Sequence, residues 1–260
     1  MKLATWNVNS LRVRLEHLSQ WLVANPVDVL ALQETKLIDA KFPAEEIRAA
    51  GYEVVFSGQP TYNGVALLSR LDTVGAPADV VIGNPLFQDE QQRLITATVG
   101  GLRVTCAYVP NGQDTESDKY AYKLRWLDAL SQWLAEGAGQ AGLPRVLMGD
   151  FNIAPDDRDV HDPEAWEGKV LCSEAERERF RRLIALGLTD SFRLFEQPER
   201  IFSWWDYRQL GFRRNAGLRI DHVLIDEALV KRARACVVDK EPRRWDKPSD
   251  HAPVVCTLDD

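Results

Sequence analysis

Several short apolar runs in this chain end in, or begin with, side chains that can do chemistry. KLATW (2–6) is followed by Asn7 and Asn9, VDVLALQ by Glu34, and VTCAYV carries Tyr108 just before Asn111. VLMG leads into Asp150 and Asn152, RIDHV holds Asp221, and PSDHAPVV opens on Asp250 and His251. Alternation along a strand puts Asp150 and Asn152 on one face, with Phe151 turned the other way into packing, and does the same for Asn7 and Asn9. A lone carboxylate at a strand end is most simply a solvated acid or a helix cap. Several converging on one place repel one another unless a cation or a shared proton compensates them. These donors are hard oxygens without paired His or Cys, which suits Mg²⁺ or Mn²⁺ over zinc. Mg²⁺ is typically held by one or two carboxylates, with waters and substrate phosphates completing its shell. A phosphate ester is the substrate class that follows. His251 adds a group that titrates near neutrality, and Asp221 would orient it and raise its basicity.

The elements that must deliver these groups are legible as Val-, Ile-, Leu- and aromatic-rich runs bounded by Gly, Pro, Asn or Asp. Strands are expected at 2–6, 27–32, 52–57, 64–69, 94–99, 102–109, 145–149, 219–225, 233–239 and 252–258. Between some of them the period becomes helical. Leu11, Leu15, Leu18 and Leu22 form one stripe over 10–24, and 120–134 and 174–186 repeat the pattern. Hairpin-like neighbours mixed with helical insertions indicate an α/β or α+β sandwich with helix-covered sheets rather than a doubly wound parallel sheet. The polar segment 153–173 is long for a connection, and loops of that length are often functional. His161, Trp166 and Leu171 are its bulky members, while His17, His161 and His222 read as packing or surface residues.

Composition is that of a soluble globular chain: 260 residues, 45% hydrophobic and 27% charged. No linker, low-complexity tract or internal period divides it, so one domain spanning 1–260 is expected. The start, MKLATWNVNS, lacks a signal-peptide core and no apolar run is long enough to span a bilayer, which reads as a cytoplasmic protein without a membrane partner. The four cysteines form no CxxC pair and read as buried thiols. A net charge of −7 argues against non-specific nucleic-acid binding, although basic residues cluster locally at Arg12 and Arg14, at Arg208, Arg213 and Arg214, and at Arg243, Arg244 and Lys247.

The motifs TWNVNSLR, LALQETK, YNGVALLSR, AYVPNG, MGDFNIAP, DSFR, FSWWDYR, GLRIDHVL and PSDHAPV, in this order over essentially the whole chain, closely resemble the exonuclease III family of Mg²⁺-dependent AP endonucleases. LQETK and GDFN alone would indicate the wider endonuclease/exonuclease/phosphatase superfamily; WWDYR, GLRID and SDHAP single out its DNA-repair branch. The resemblance implies a four-layer α/β sandwich, two mixed β-sheets packed face to face and flanked by helices, with the site at one rim. It implies hydrolysis of phosphodiester bonds 5' to abasic sites and at 3' ends of duplex DNA by a monomer. The alternative is 3'-end processing with little or no abasic-site incision.

Carried over residue by residue, the resemblance makes Glu34 the principal metal carboxylate, with Asn7 and Asp250 close by. Asp150 matches the group that orients or deprotonates the attacking water, Asn152 its amide companion, His251 the phosphate-contacting histidine paired with Asp221, and Tyr108 the phenol that supports the transition state or leaving oxygen. Asn9 stands where some relatives have Asp. Trp204, Leu218 and Ile220 resemble the apolar pocket for a flipped-out abasic sugar, which excludes normal nucleotides because a base would not fit. Asn9, Arg12, Lys36, Tyr62, Asn111 and Arg208 match or neighbour DNA-contacting positions. Phosphodiesterases acting on phosphoinositides or sphingomyelin share a similar site set, but WWDYR and GLRID and the lack of a basic amphipathic membrane helix stand against that reading. A non-catalytic binding protein on the same fold would be expected to have lost some of these residues.

Overall fold

The computed structural model describes residues 1–138 and 142–259. Its strands are β1 (Lys2–Asn7), β2 (Val29–Gln33), β3 (Tyr52–Ser57), β4 (Val65–Arg70), β5 (Ala78–Ile82), β6 (Leu94–Val99), β7 (Leu102–Tyr108), β8 (Arg145–Asp150), β9 (Leu188–Asp190), β10 (Asp221–Asp226), β11 (Ala233–Val238) and β12 (Val254–Leu258). The helices are α1 (Leu11–Ala24), α2 (Ala44–Ala49), α3 (Asp118–Ala135), α4 (Pro163–Trp166), α5 (Glu174–Ala185) and α6 (Glu227–Val230). The strands form two six-stranded sheets, ordered β11-β12-β1-β2-β4-β3 and β5-β6-β7-β8-β10-β9.

Each sheet holds one parallel pair with a helix in the crossover, β1-α1-β2 in the first and β7-α3-β8 in the second; the other pairings are antiparallel. Strands that are apolar on both faces need cover on both. Leu3, Val29, Ala31 and Leu67 face Val104, Cys106, Val146 and Met148 between the sheets. Their alternating neighbours Ala4, Trp6, Leu30 and Leu32 pack on Leu11, Leu18 and Trp21 of α1. In the second sheet Leu147, Phe151 and Leu224 pack on Trp126, Leu127 and Leu130 of α3 and Phe180 and Leu183 of α5. Each fully buried side chain of this kind stabilises the fold by roughly 1.5–3 kcal/mol. The result is the expected sandwich of helix, sheet, sheet and helix.

All the expected strands are present, with ends shifted by a few residues. β5 and β9 were not anticipated: β5 is a largely exposed edge and β9 is three residues long, too short for a periodic signal. The segment 153–173 is structured. It carries a 3₁₀ turn at Asp157–Asp159 and α4, and Val160 bridges to Leu218. Asp159 is buried in an ion pair with Arg219, which also pairs with Asp190. The four cysteines are free and buried. Among the described residues no helix is long and apolar enough to cross a membrane.

Candidate active site

Parallel pairing puts the ends of β1 and β2 side by side, with Asn7 opposite Gln33 and Glu34 next along the chain. In the other sheet Tyr108 and Asp221 are the two lateral neighbours of Asp150. The same rim of both sheets thus gathers Asn7, Glu34, Tyr108, Asp150 and Asp221, and the turn before β12 adds His251. Close approach is built into the backbone: a Cβ at Gly149 would lie 1.8 Å from the Ala107 carbonyl oxygen, so the residue before Asp150 has to be glycine for β7 and β8 to meet. Asn9, Glu34, Lys36 and Asn152 all hold positive φ, between 42° and 54°. Strained backbone of this kind persists only where surrounding contacts over-determine it, and it clusters at functional sites.

Asn7 is the bridge. Its Nδ2 donates to Glu34 Oε1 and to Asp150 Oδ2, each at 2.9 Å, and its Oδ1 accepts from the Asn9 amide at 3.0 Å. Asp150 Oδ1 accepts from the Asn152 amide at 2.9 Å, and Asn152 Nδ2 donates to the Val109 carbonyl at 3.0 Å and to Asp150 Oδ2 at 3.3 Å. Behind them His251 Nδ1 donates to Asp221 Oδ2 at 2.9 Å, leaving Nε2 3.8 Å from Asp150 Oδ2. Asp221 is fixed in turn by Ser203, whose Oγ donates to Asp221 Oδ2 at 2.6 Å and accepts the Ile220 and Asp221 amides at 3.0 Å. Ser203 was not anticipated; nothing in FSWWD distinguishes a serine that orients a distant carboxylate from a turn residue.

Burial and neighbouring charge set the proton states. Burial raises the Asp150 carboxyl and Asp221 adds to this, against His251 and the Asn7 hydrogen bond, leaving it pushed up to about 7. Burial alone would lower His251, but the Asp221 and Asp150 carboxylates outweigh it and hold the imidazole at about 10. For Glu34 burial acts upward and is more than offset by the Lys36 ammonium and the Asn7 amide, so the net shift is downward. Burial, with Glu34 nearby, holds the Tyr108 phenol well above its ordinary value against the pull of Arg93. Arg93 lies 4.6 Å over the Tyr108 ring and donates to its carbonyl at 3.3 Å. At neutral pH the rim therefore presents ionised Glu34, an imidazolium and a protonated phenol around a carboxyl poised near its midpoint.

Glu34, Asp150 and His251 offer ligand atoms that all lie within 4.8 Å of one another. Two carboxylates this close, with Lys36 already 2.8 Å from Glu34, form an arrangement that a cation completes. The site fits a metal ion. Asp250 is turned elsewhere: its Oδ1 accepts from Asn9 Nδ2 at 2.8 Å and its Oδ2 from Trp204 Nε1 at 3.0 Å. Lys36 Nζ also donates to Asn9 Oδ1 at 2.7 Å, so Asn9 links Asp250 to Lys36 beside the cluster.

The expected substrate contacts are spread more widely. Asn111 Nδ2 donates to Asn152 Oδ1 at 3.0 Å, and Asn111, Tyr108, Arg93 and the exposed Tyr62 line a cavity of about 650 Å³. Arg208 is exposed and paired with Asp206. Arg12 lies over a separate hollow with Leu37 and Lys41. Arg14, grouped with Arg12 as a basic cluster in the sequence, donates to the Asn9, Lys247 and Pro248 carbonyls and ties the first strand's exit to the turn before Asp250. Trp204 is half-buried, but Leu218 and Ile220 are 0% and 1% exposed, covered in a cluster with Val160 and Leu171.

Comparison with known proteins gives the chain's family. A model of the endonuclease/exonuclease/phosphatase family matches residues 4–251. The chain is 36% identical to exodeoxyribonuclease III of Haemophilus influenzae over 98% of each chain. Among solved structures it superposes on a Neisseria 3' phosphatase bound to product DNA hairpin with TM-score 0.95 and 46% identity, covering 100% of this chain and 99% of that one. On an AP endonuclease from Archaeoglobus fulgidus the TM-score is 0.94 at 38% identity, with 100% of both chains covered. The chain belongs to the endonuclease/exonuclease/phosphatase family, as one of its phosphodiester-hydrolysing nucleases.

Proposed function

We propose that the protein is a DNA-repair nuclease that uses Mg²⁺, with Mn²⁺ as a substitute, to hydrolyse phosphodiester bonds 5' to abasic sites and at 3' ends of duplex DNA. The observation that carries this reading is the Asn7 amide joining Glu34 to Asp150 beside the His251–Asp221 pair. A divalent cation held by Glu34 beside Asn7, with Asp250 as a further ligand if it leaves Asn9 and Trp204, would neutralise charge on the phosphoryl oxygens. Asp150, fixed by Asn7 and Asn152, orients the attacking water and takes its proton; a carboxyl near 7 suits a general base at neutral pH. His251 donates from Nε2 to a phosphoryl oxygen while Asp221 keeps Nδ1 protonated. Tyr108 donates from its phenol to the charge that develops around phosphorus or on the departing 3'-oxygen. Asn9, Lys36, Tyr62, Asn111, Arg12 and Arg208 would seat the backbone of duplex DNA, which positions without reading sequence.

Glu34→Ala is expected to raise the Mg²⁺ concentration needed for half-maximal activity by at least about tenfold, by analogy with the 10–100-fold effects of disturbing metal-site partners. It should also abolish the Mg²⁺-dependent rise in melting temperature expected of the wild type, since an ion that binds only the folded state stabilises it. An unchanged metal titration would remove Glu34 from the metal's ligands.

A second reading, 3'-end processing with little abasic incision, is favoured by the cover over the expected sugar pocket. Leu171 is 4% exposed, holds φ 76° and packs with Leu218 and Ile220. The Neisseria relatives, described as a 3' phosphatase and a 3'-5' exonuclease, support it. Leu171→Gly suits the positive φ and removes the side chain, so it is expected to raise abasic-site incision relative to 3'-phosphate removal by about tenfold or more, the scale of a pocket's steric discrimination. A ratio that does not move would mean that Leu171 does not gate the pocket.

A further inference from the structure

The stripe that α3 turns inward, Tyr120, Trp126, Leu127, Leu130 and Leu134, is interrupted by Lys123, whose side chain is 0% exposed. Its partner Glu176, on α5, is equally buried. Lys123 Nζ donates to the main-chain carbonyl of Asn152 at 2.6 Å, to that of Asn111 at 3.1 Å and to Glu176 Oε1, which uses all three of its protons. Glu176 is equally occupied: Oε1 accepts the Leu171 amide at 3.0 Å, and Oε2 accepts the Ser173 amide at 3.1 Å and the Ser173 hydroxyl at 2.6 Å. One ion pair thus grips four points, Asn111, Asn152, Leu171 and Ser173, on three segments that border the active site.

Stability alone does not account for it. An apolar pair of matching volume in such a position is commonly as stable or more so, whereas an ammonium in a core must be desolvated. What the ammonium supplies is two aimed donors for carbonyls that no strand neighbour can satisfy. Asn152 has left the strand with φ 48°, which turns its carbonyl inward toward α3. Held there, the Asn152 amide and side chain present N–H groups to both oxygens of Asp150, and its Oδ1 accepts from Asn111.

We propose that Lys123, paired with Glu176, is a positioning residue that locks the Asp150–Asn152 turn and the neighbouring Asn111 in register for hydrolysis. The proposal rests on the reading of Asp150 as the base that activates water. The ion pair reaches Asn111 and Asn152 through their main-chain carbonyls alone and touches no residue assigned to the metal, so its removal should lower turnover more than DNA affinity and leave the metal requirement unchanged.

The test is the variant Lys123→Met/Glu176→Gln, which leaves no lone buried charge if Lys123→Met alone fails to fold. kcat and KM are measured on a duplex with a 3'-phosphate, with melting temperature and circular dichroism giving the folded fraction, in wild-type and Asn152→Ala backgrounds. Per folded molecule, kcat is expected to fall by about 10–100-fold with KM within about threefold of the wild type, as for other residues that orient a catalytic group. In the Asn152→Ala background the same double substitution should cost less than in the wild type, because the side-chain contacts of Asn152 to Asp150 and Asn111 are already gone while its main-chain contacts remain. An unchanged kcat per folded molecule, or the same loss in both backgrounds, would overturn the positioning role. No metal-dependent hydrolysis by the wild type would instead defeat the functional reading beneath it.

Discussion

Asp150→Asn is expected to lower single-turnover hydrolysis by at least about 10³-fold, within the range supplied by a positioned base, while the dissociation constant for duplex DNA stays within a few-fold. The asparagine keeps the size and the oxygen that accepts the Asn152 amide, so the turn should survive, although it loses the second oxygen, which accepts from the Asn7 and Asn152 side chains. What disappears is the group that takes the proton. The stability change has an expected sign as well. Folding raises the Asp150 carboxyl to about 7 from its ordinary 3.8. Its stabilising contribution is therefore fully present below about pH 3.8 and lost as pH rises through 7. At pH 8 without metal, the neutral asparagine should accordingly melt no lower than the wild type. An Asp150→Asn protein that hydrolyses DNA within tenfold of the wild-type rate would remove Asp150 from the chemistry.

His251→Gln carries the second-largest expected loss, about 10²–10³-fold in kcat, the usual cost of removing one aimed donor from a developing oxyanion. Its signature lies in pH dependence. Turnover needs Asp150 ionised and His251 protonated, so without the metal's influence the acid limb follows a group near 7 and the alkaline limb one near 10. A cation held by Glu34 lies close to Asp150 and favours its ionised form, so saturating metal should move the acid limb downward. His251→Gln should erase the alkaline limb. Asp221→Asn, which removes the larger of the two carboxylate contributions that raise the imidazole, should shift that limb to lower pH. An alkaline limb that stays put in Asp221→Asn would show that another group sets it.

Much of the site could be read from the sequence because its members sit at strand ends, where apolar periodicity announces the element and the polar interruption announces the residue. Asn7, Glu34, Tyr108, Asp150, Asn152, Asp221 and His251 converge as their positions implied. The orientation of Asp250 was beyond sequence reasoning: which way a carboxylate turns depends on Asn9 and Trp204, far from it in the chain. The buried state of Leu218 and Ile220 depends on a leucine at positive φ in the 153–173 segment, a conformation that residue type argues against. Lys123 left a trace, a lysine on an apolar stripe, but its meaning lies in the Asn111 and Asn152 carbonyls that follow β7 and β8 and in the Glu176 carboxylate, 53 residues away. Edge strand β5 was missed because exposure on both faces leaves no hydrophobic period to see.

The central claim is that this rim hydrolyses phosphodiesters with a bound divalent metal. It is tested most directly by cleavage of end-labelled duplexes bearing an internal abasic analogue, a 3'-phosphate or a recessed 3'-hydroxyl, each in Mg²⁺ and in EDTA, by wild-type and Asp150→Asn proteins. The account predicts Mg²⁺-dependent product from the wild type, with 3'-phosphate removal if Leu171 closes the sugar pocket and abasic incision besides if it yields. Neither should appear in EDTA or from Asp150→Asn. Cleavage that persists in EDTA, or a wild type inert on every duplex in Mg²⁺, would contradict it.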